Sequence, residues 1–410
     1  MRVLLFFVTI FAVSFMCCNN TGDRVVNNSY IVLSDDGISK EIKPGIYNIA
    51  ELIKLIDNKK IAVLGNQTSV VNNIHLVDTL ISLDQNIIKV FCPEHGFRGT
   101  ADAGELIDNT KDIRTGLPII SLYGKNKKPT DEQLTGVEAV VFDLQDVGVR
   151  FYTYISTLHY VMEACAENNI PVILLDRPNP NAHYVDGPIL DTAKFRSFIG
   201  MHPVPVIYGM TIGEYGQMIN GEKWLKDGMN CDLTIVKCEN YEHSKKYSLP
   251  VKPSPNLPND RSIELYPTLC FFEGTNLSIG RGTSKQFQII GHPLLEDVKE
   301  IDFVFIPLPN EGASNPVLNG KVCYGFDLSE DNSIFDIEDK LNISVIKKVY
   351  ELFPDKSQFF VKTNFFELLI GTDNFKQQII DNVDEDLIRS GWEQELKDFM
   401  KTREKYLIYK

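Results

Sequence analysis

The sequence predicts an α/β protein: a parallel β-sheet covered by helices on both faces, followed by a smaller α+β domain. Two observations carry the prediction. Short unbroken runs of Ile, Val and Leu recur without the apolar–polar alternation of a half-exposed strand, and segments with helical spacing lie between several of them. Strands buried on both faces and joined by helices form parallel sheets. Beyond about residue 248 the texture changes, first to proline-punctuated loops and then to apolar and charged residues at helical spacing.

The elements follow in order. Ile61-Ala62-Val63-Leu64 is the first apolar run and ends in GNQTS. Ile74, Val77, Leu80, Ile81 and Ile87 follow helical spacing approximately. Ile87 to Cys92 forms the second run and ends in PEHGFRG. Leu117 to Leu122 forms the third and ends in YGK. Ala139 to Phe142 forms the fourth and breaks into DLQDVGVRFYTY. Leu158, Val161, Met162, Cys165 and Ala166 keep good helical spacing, and Ile170 to Leu175 is a fifth run ending in DRPNP. Thr211-Ile212-Gly213-Glu214 has the form of a helix capping box, so Glu214 is assigned to structure rather than chemistry. At the C-terminus, Leu387, Trp392, Leu396, Phe399, Met400 and Arg403 are set at helical spacing before KYLIYK.

The N-terminus stands apart. MRVLLFFVTIFAVSFMCC carries one Arg and an apolar run too short to span a bilayer, then Cys17-Cys18 and a polar stretch. It resembles a bacterial lipoprotein signal, with Cys17 or Cys18 as the lipidated residue; an ordinary cleaved signal is the alternative. The expected organisation is therefore a signal over 1–18, a linker over 19–43, a sheet domain over 44–247 and a second domain over 248–410. The chain is expected to be exported, and anchored at the periplasmic or outer-membrane surface.

Composition narrows the chemistry. A hydrophobic fraction of 43% belongs to an ordinary globular protein, and a formal net charge of −14 argues against a nucleic-acid partner. Cys92, Cys165, Cys231, Cys238, Cys270 and Cys323 show no CxxC spacing, which disfavours zinc; they read as small buried hydrophobes, with a disulfide left open. There is no GxGxxG or GxxxxGK[ST] fingerprint, no GxSxG elbow and no HExxH. No metal or cofactor is expected.

Carboxylates, amides, arginines and aromatics remain, and they cluster after the strands. Ligands of doubly wound sheets bind outside the carboxyl ends of the strands, so the clusters are expected to form one site. Glu94, at the mouth of an apolar strand, suits a general acid, or is simply paired with Arg98. Asp143 and Asp146 are either an acid–base pair or holders of Arg150. Glu273 and Arg281 share the glycine-rich EGTNLSIGRGT loop, which is expected to close the cleft. The candidate catalytic set is thus Glu94, Asp143 and Glu273. Around it, candidate binding residues are Asn66, Gln67, His95, Arg98, Gln145, Asp146, Arg150, Tyr152, Tyr154, Arg177, Asn276 and Arg281.

PEHGFRG, DLQDVGVRFYTY, DRPNP, GMTIGE, SPNLP, EGTNLSIGRGT and the terminal REKYLIY occur in this order from about residue 45 to the end. Together they resemble the bacterial exo-β-N-acetylmuramidase family, although Tyr215 stands in GMTIGEYG where a small residue is expected. The resemblance implies a Rossmann-like domain without a nucleotide, a smaller second domain and a cleft between them. It also implies release of terminal N-acetylmuramic acid from the non-reducing end of peptidoglycan fragments, with Glu94 as the leading catalytic candidate. On that reading Tyr152, Tyr154 and Phe97 suit a sugar face. Arg281, then Arg150, suits the lactyl carboxylate of muramic acid. The alternatives are a non-catalytic muropeptide-binding lipoprotein, or an amidase or lactyl etherase acting on the same sugar.

Overall fold

A computed structural model describes residues 41–93, 96–98, 110–330, 335 and 337–410. Its twelve described strands are β1 (Ile61–Gly65), β2 (Val70–Val71), β3 (Ile74–His75), β4 (Ile87–Cys92), β5 (Thr110–Lys111), β6 (Pro118–Ser121), β7 (Ala139–Asp143), β8 (Val172–Leu175), β9 (Leu233–Val236), β10 (Ile289–His292), β11 (Phe303–Phe305) and β12 (Cys323–Asp327). The main sheet runs β5-β6-β4-β1-β7-β8-β9. Its last six strands are parallel, and only β5 pairs antiparallel, with β6 at the edge.

Taken in chain order, the six parallel strands lie 3-2-1-4-5-6, the order of a Rossmann sheet. The direction of winding reverses between β1 and β7. These two strands pair from Ile61↔Ala139 to Gly65↔Asp143, and every residue of both is buried. That burial on both faces is why their sequences are continuous rather than alternating. The five apolar runs all became strands. β9 was not anticipated: three of its four residues are only half-buried, so its apolar signal is weak.

Helices also formed where spacing and caps predicted them. The helix Tyr154–Glu167 buries Leu158, Val161, Met162 and Cys165 against the sheet. At Ile212–Gly221 both bonds of the capping box are present, Glu214 N–H to Thr211 Oγ1 and Thr211 N–H to Glu214 Oε2. Such a cap contributes about 1 kcal/mol. Elsewhere the periodicity overreached. Ile74 lies in β3 and Ile87 in β4, leaving only Leu76–Ser82 helical between them. Near the C-terminus the pattern splits into Glu385–Ser390 and Glu393–Glu404; Leu387 and Met400 are exposed rather than packed.

The second part of the chain contains an antiparallel sheet, β10-β12-β11, with helices around it. It is not a separate core. One apolar cluster runs from Leu64 and Phe142 through Tyr152, Tyr266, Phe271 and Phe287 to Phe399. The terminal tail returns to the first part, where the N–H groups of Ile408 and Tyr409 donate to Glu214 Oε1 at 2.7 and 3.1 Å. Tyr409 Oη donates to Asp176 Oδ2 at 2.8 Å. Glu214 is thus structural twice over. The six described cysteines are all buried and free, as small hydrophobes should be.

Candidate functional site

The winding reversal opens the sheet edge at the carboxyl ends of β1 and β7. Directly after β1, Asn66 is fully buried: its Nδ2 donates to Tyr154 Oη at 2.8 Å and its Oδ1 accepts from Thr68 N–H at 2.9 Å. Gln67 reaches the second part of the chain, with Nε2 donating to the Pro253 carbonyl at 3.1 Å. Tyr152 Oη donates to the same carbonyl at 2.8 Å. Burial pushes the Tyr152 hydroxyl well above the ordinary phenol range, so it stays a donor. These bonds hold the 252–257 segment over the sheet edge.

A cavity of about 70 Å³ lies at this junction. Its walls include Tyr152, Tyr154, Asn256, Tyr266, Arg281 and Phe287. Tyr152 meets Tyr154 edge-on at 4.9 Å between ring centroids, and the Arg281 guanidinium lies 5.0 Å from the Phe287 ring centroid. Glu273 fixes Arg281, its Oε1 accepting from Nε at 2.9 Å and Nη2 at 2.5 Å. Burial alone would disfavour the guanidinium charge; Glu273 outweighs it and keeps Arg281 cationic. Among the described residues, the remaining nitrogen, Nη1, makes no hydrogen bond.

Asp143 lies beneath this site and is fully occupied. Arg177 grips it with two bonds, Nε to Oδ1 at 2.7 Å and Nη2 to Oδ2 at 2.8 Å, and both side chains are buried. Arg177 Nη2 also donates to the Thr68 carbonyl at 2.9 Å, so the pair ties together the ends of β1, β7 and β8. Both Asp143 oxygens are therefore engaged by Arg177, which is its counterion.

Several other candidate residues are likewise engaged by protein groups. Arg150 has no exposed surface; its Nη1 donates to the Pro188 and Val204 carbonyls and its Nη2 to those of Leu369 and Ile370. Burial pulls its pKa down to about 9, and its four bonds clamp distant segments together. Arg98 is held by Asp112, Nε to Oδ1 at 2.9 Å and Nη2 to Oδ2 at 2.8 Å, which draws the Asp112 carboxyl down to about 2. Gln145 Nε2 donates to the Asp146 and Pro178 carbonyls. Asn276 is a stitch to the 358–360 segment. Phe97 is buried against His75 rather than offered to a sugar. Glu94, His95, Cys17 and Cys18 lie outside the described residues.

Asp146 is buried, with Oδ2 accepting from Gly148 N–H at 2.7 Å and from Tyr208 Oη. Burial raises its pKa to about 6. Between about pH 4 and 6 the folded state therefore holds a proton that the unfolded chain has released, and stability falls as pH rises through that window. Asp176, raised to about 6 by burial and then by Glu214, acts in the same direction. D146N is expected to flatten the decline in urea midpoint from pH 4 to 6, leaving the share from Asp176. Parallel midpoint curves for the two proteins would contradict this.

Sequence reasoning missed the wall contributed by Asn256, Tyr266 and Phe287. The SPNLP string was visible, but nothing local places it over β1 and β7; the contacts come from Gln67 and Tyr152, about 100 residues or more away in the chain.

A family model described as the N-terminal part of the exo-beta-N-acetylmuramidase NamZ matches residues 61–261, and one described as its C-terminal part matches residues 264–409. A peptidoglycan beta-N-acetylmuramidase NamZ of Bacillus subtilis (strain 168) is 39% identical over 372 residues, covering 87% of this chain and 88% of that protein. Two crystal structures of DUF1343 family proteins from Bacteroides fragilis NCTC 9343 are also similar. They have TM-scores of 0.82 and 0.76 at 40% and 30% identity, and each match covers 90% of this chain and 99% of the other.

Proposed function

Because the chain belongs to the exo-β-N-acetylmuramidase family, we propose that the site at the winding reversal hydrolyses the terminal glycosidic bond of peptidoglycan fragments and releases N-acetylmuramic acid. The observation that carries this reading for the site is the cavity wall itself. Aromatic side chains supply faces for a sugar, and a cationic Arg281 stands among them with one nitrogen unbonded among the described residues. Muramic acid differs from glucosamine by a lactyl ether bearing a carboxylate, and a guanidinium matches that group. The carbonyl-bound segment over the sheet edge closes one side, which suits a chain end better than a continuous strand.

Glu94 is the general acid, protonating the leaving oxygen. Glu273 positions Arg281, while Asp143 and Arg177 hold the strand ends beneath. Tyr152 and Tyr154 present ring edges and faces to the pyranose.

The test is product analysis on a MurNAc–GlcNAc disaccharide and on intact glycan strands, using the chain without residues 1–18. Free N-acetylmuramic acid should appear from the disaccharide, with no internal cleavage of long strands. Arg281→Ala should lower kcat/KM on the disaccharide by about 10–100-fold, the range of one hydrogen bond to a charged group. Trace activity on a GlcNAc–GlcNAc analogue should be little changed. Release of lactate would instead indicate ether cleavage, and binding without any release would indicate a capture protein.

A further inference from the structure

Asn256 has one side-chain atom whose position is set and whose bonding is unmet. The residue is 1% exposed and lines the cavity. Its main-chain N–H donates to Ser254 Oγ at 3.2 Å, and its Nδ2 donates to the Gly312 carbonyl at 2.8 Å. Gly312 has φ +83°, and a Cβ there would lie 2.5 Å from Pro255 Cβ and 3.1 Å from Asn256 Nδ2. Only glycine lets the chain press this closely on the amide. Turning the amide over would set Oδ1 against the Gly312 carbonyl, so the hydrogen bond decides its orientation. Asn256 Oδ1 is then a buried acceptor with no partner among the described residues. Buried polar atoms of this kind are rare enough to require a reason.

Two other polar groups of the wall are already committed as donors. Arg281 can only donate, and Tyr152 Oη already donates to Pro253. A terminal N-acetylmuramic acid carries its lactyl ether at O3 and the scissile bond at C1. Its remaining donors are the hydroxyls on C4 and C6 and the acetamido N–H, and each needs an acceptor.

We propose that Asn256 is a specificity-determining residue whose Oδ1 accepts a hydrogen bond from one of these donors on the terminal sugar. The inference rests on reading the cavity as the sugar site. Arg281 then recognises the acidic side of muramic acid, and Asn256 recognises its donor side.

The experiment crosses protein and substrate. Wild type and Asn256→Ala are assayed for kcat/KM on the MurNAc–GlcNAc disaccharide and on three analogues: 4-deoxy, 6-deoxy, and one with the acetamido group replaced by an O-acetyl ester. Wild type should lose about 10–100-fold on one analogue and stay within about threefold on the other two. Asn256→Ala should lose a similar factor on the parent disaccharide and nothing further on the sensitive analogue. The sensitive analogue identifies the donor. Losses that multiply, instead of overlapping, would overturn the proposal. So would wild-type rates within about threefold on all three analogues, a result that does not depend on the variant folding. No release from the parent disaccharide by wild type would instead remove the muramidase reading beneath it.

Discussion

Glu94→Gln should bind substrate as the wild type does and turn it over roughly two to four orders of magnitude more slowly. The substitution keeps the shape of the side chain and removes the proton a leaving oxygen needs. The other two candidate carboxylates are poorly placed to supply that proton. Asp143 has both oxygens occupied by Arg177, and Glu273 has Oε1 bonded twice to Arg281. Single-turnover kinetics with a separate binding measurement distinguish the two effects. A near-wild-type rate for Glu94→Gln beside an inactive Glu273→Gln would move the acid to Glu273.

Asp143→Ala should destabilise the fold by about 3–5 kcal/mol, the range for removing one partner of a buried ion pair. The loss arises from what remains: Arg177 would stay buried with its charge unpaired, beneath the ends of three strands. Replacing both residues, Asp143→Ala with Arg177→Met, should recover much of that stability because no orphan charge is left. Urea denaturation at neutral pH measures both. If Asp143→Ala matches wild type in stability yet has no turnover, Asp143 acts in the chemistry and its assignment to positioning fails.

The arginines show where sequence reading stops. Arg98, Arg150, Arg177 and Arg281 were all plausible ligands for a carboxylate, since each stands in a polar cluster after a strand or in a glycine-rich loop. Three are occupied by protein groups: Arg98 by Asp112, Arg177 by Asp143, and Arg150 by four carbonyls, two of them about 220 residues away. Among the described residues Arg177 and Arg281 each keep Nη1 unbonded, and of the four arginines only Arg281 lines the cavity.

By itself the sequence determined the features whose physics is local or periodic. Continuous apolar runs meant strands buried on both faces, and the Thr211–Glu214 box closed a helix end through bonds spanning three residues. The ordered motifs marked the family that both domain models carry. Only the tertiary structure decided which charged and amide groups remain available for a substrate. Whether a buried donor or acceptor is satisfied depends on partners brought in from far along the chain, such as Gly312 for Asn256 and Pro253 for Gln67 and Tyr152. A local stretch of sequence holds no record of those partners.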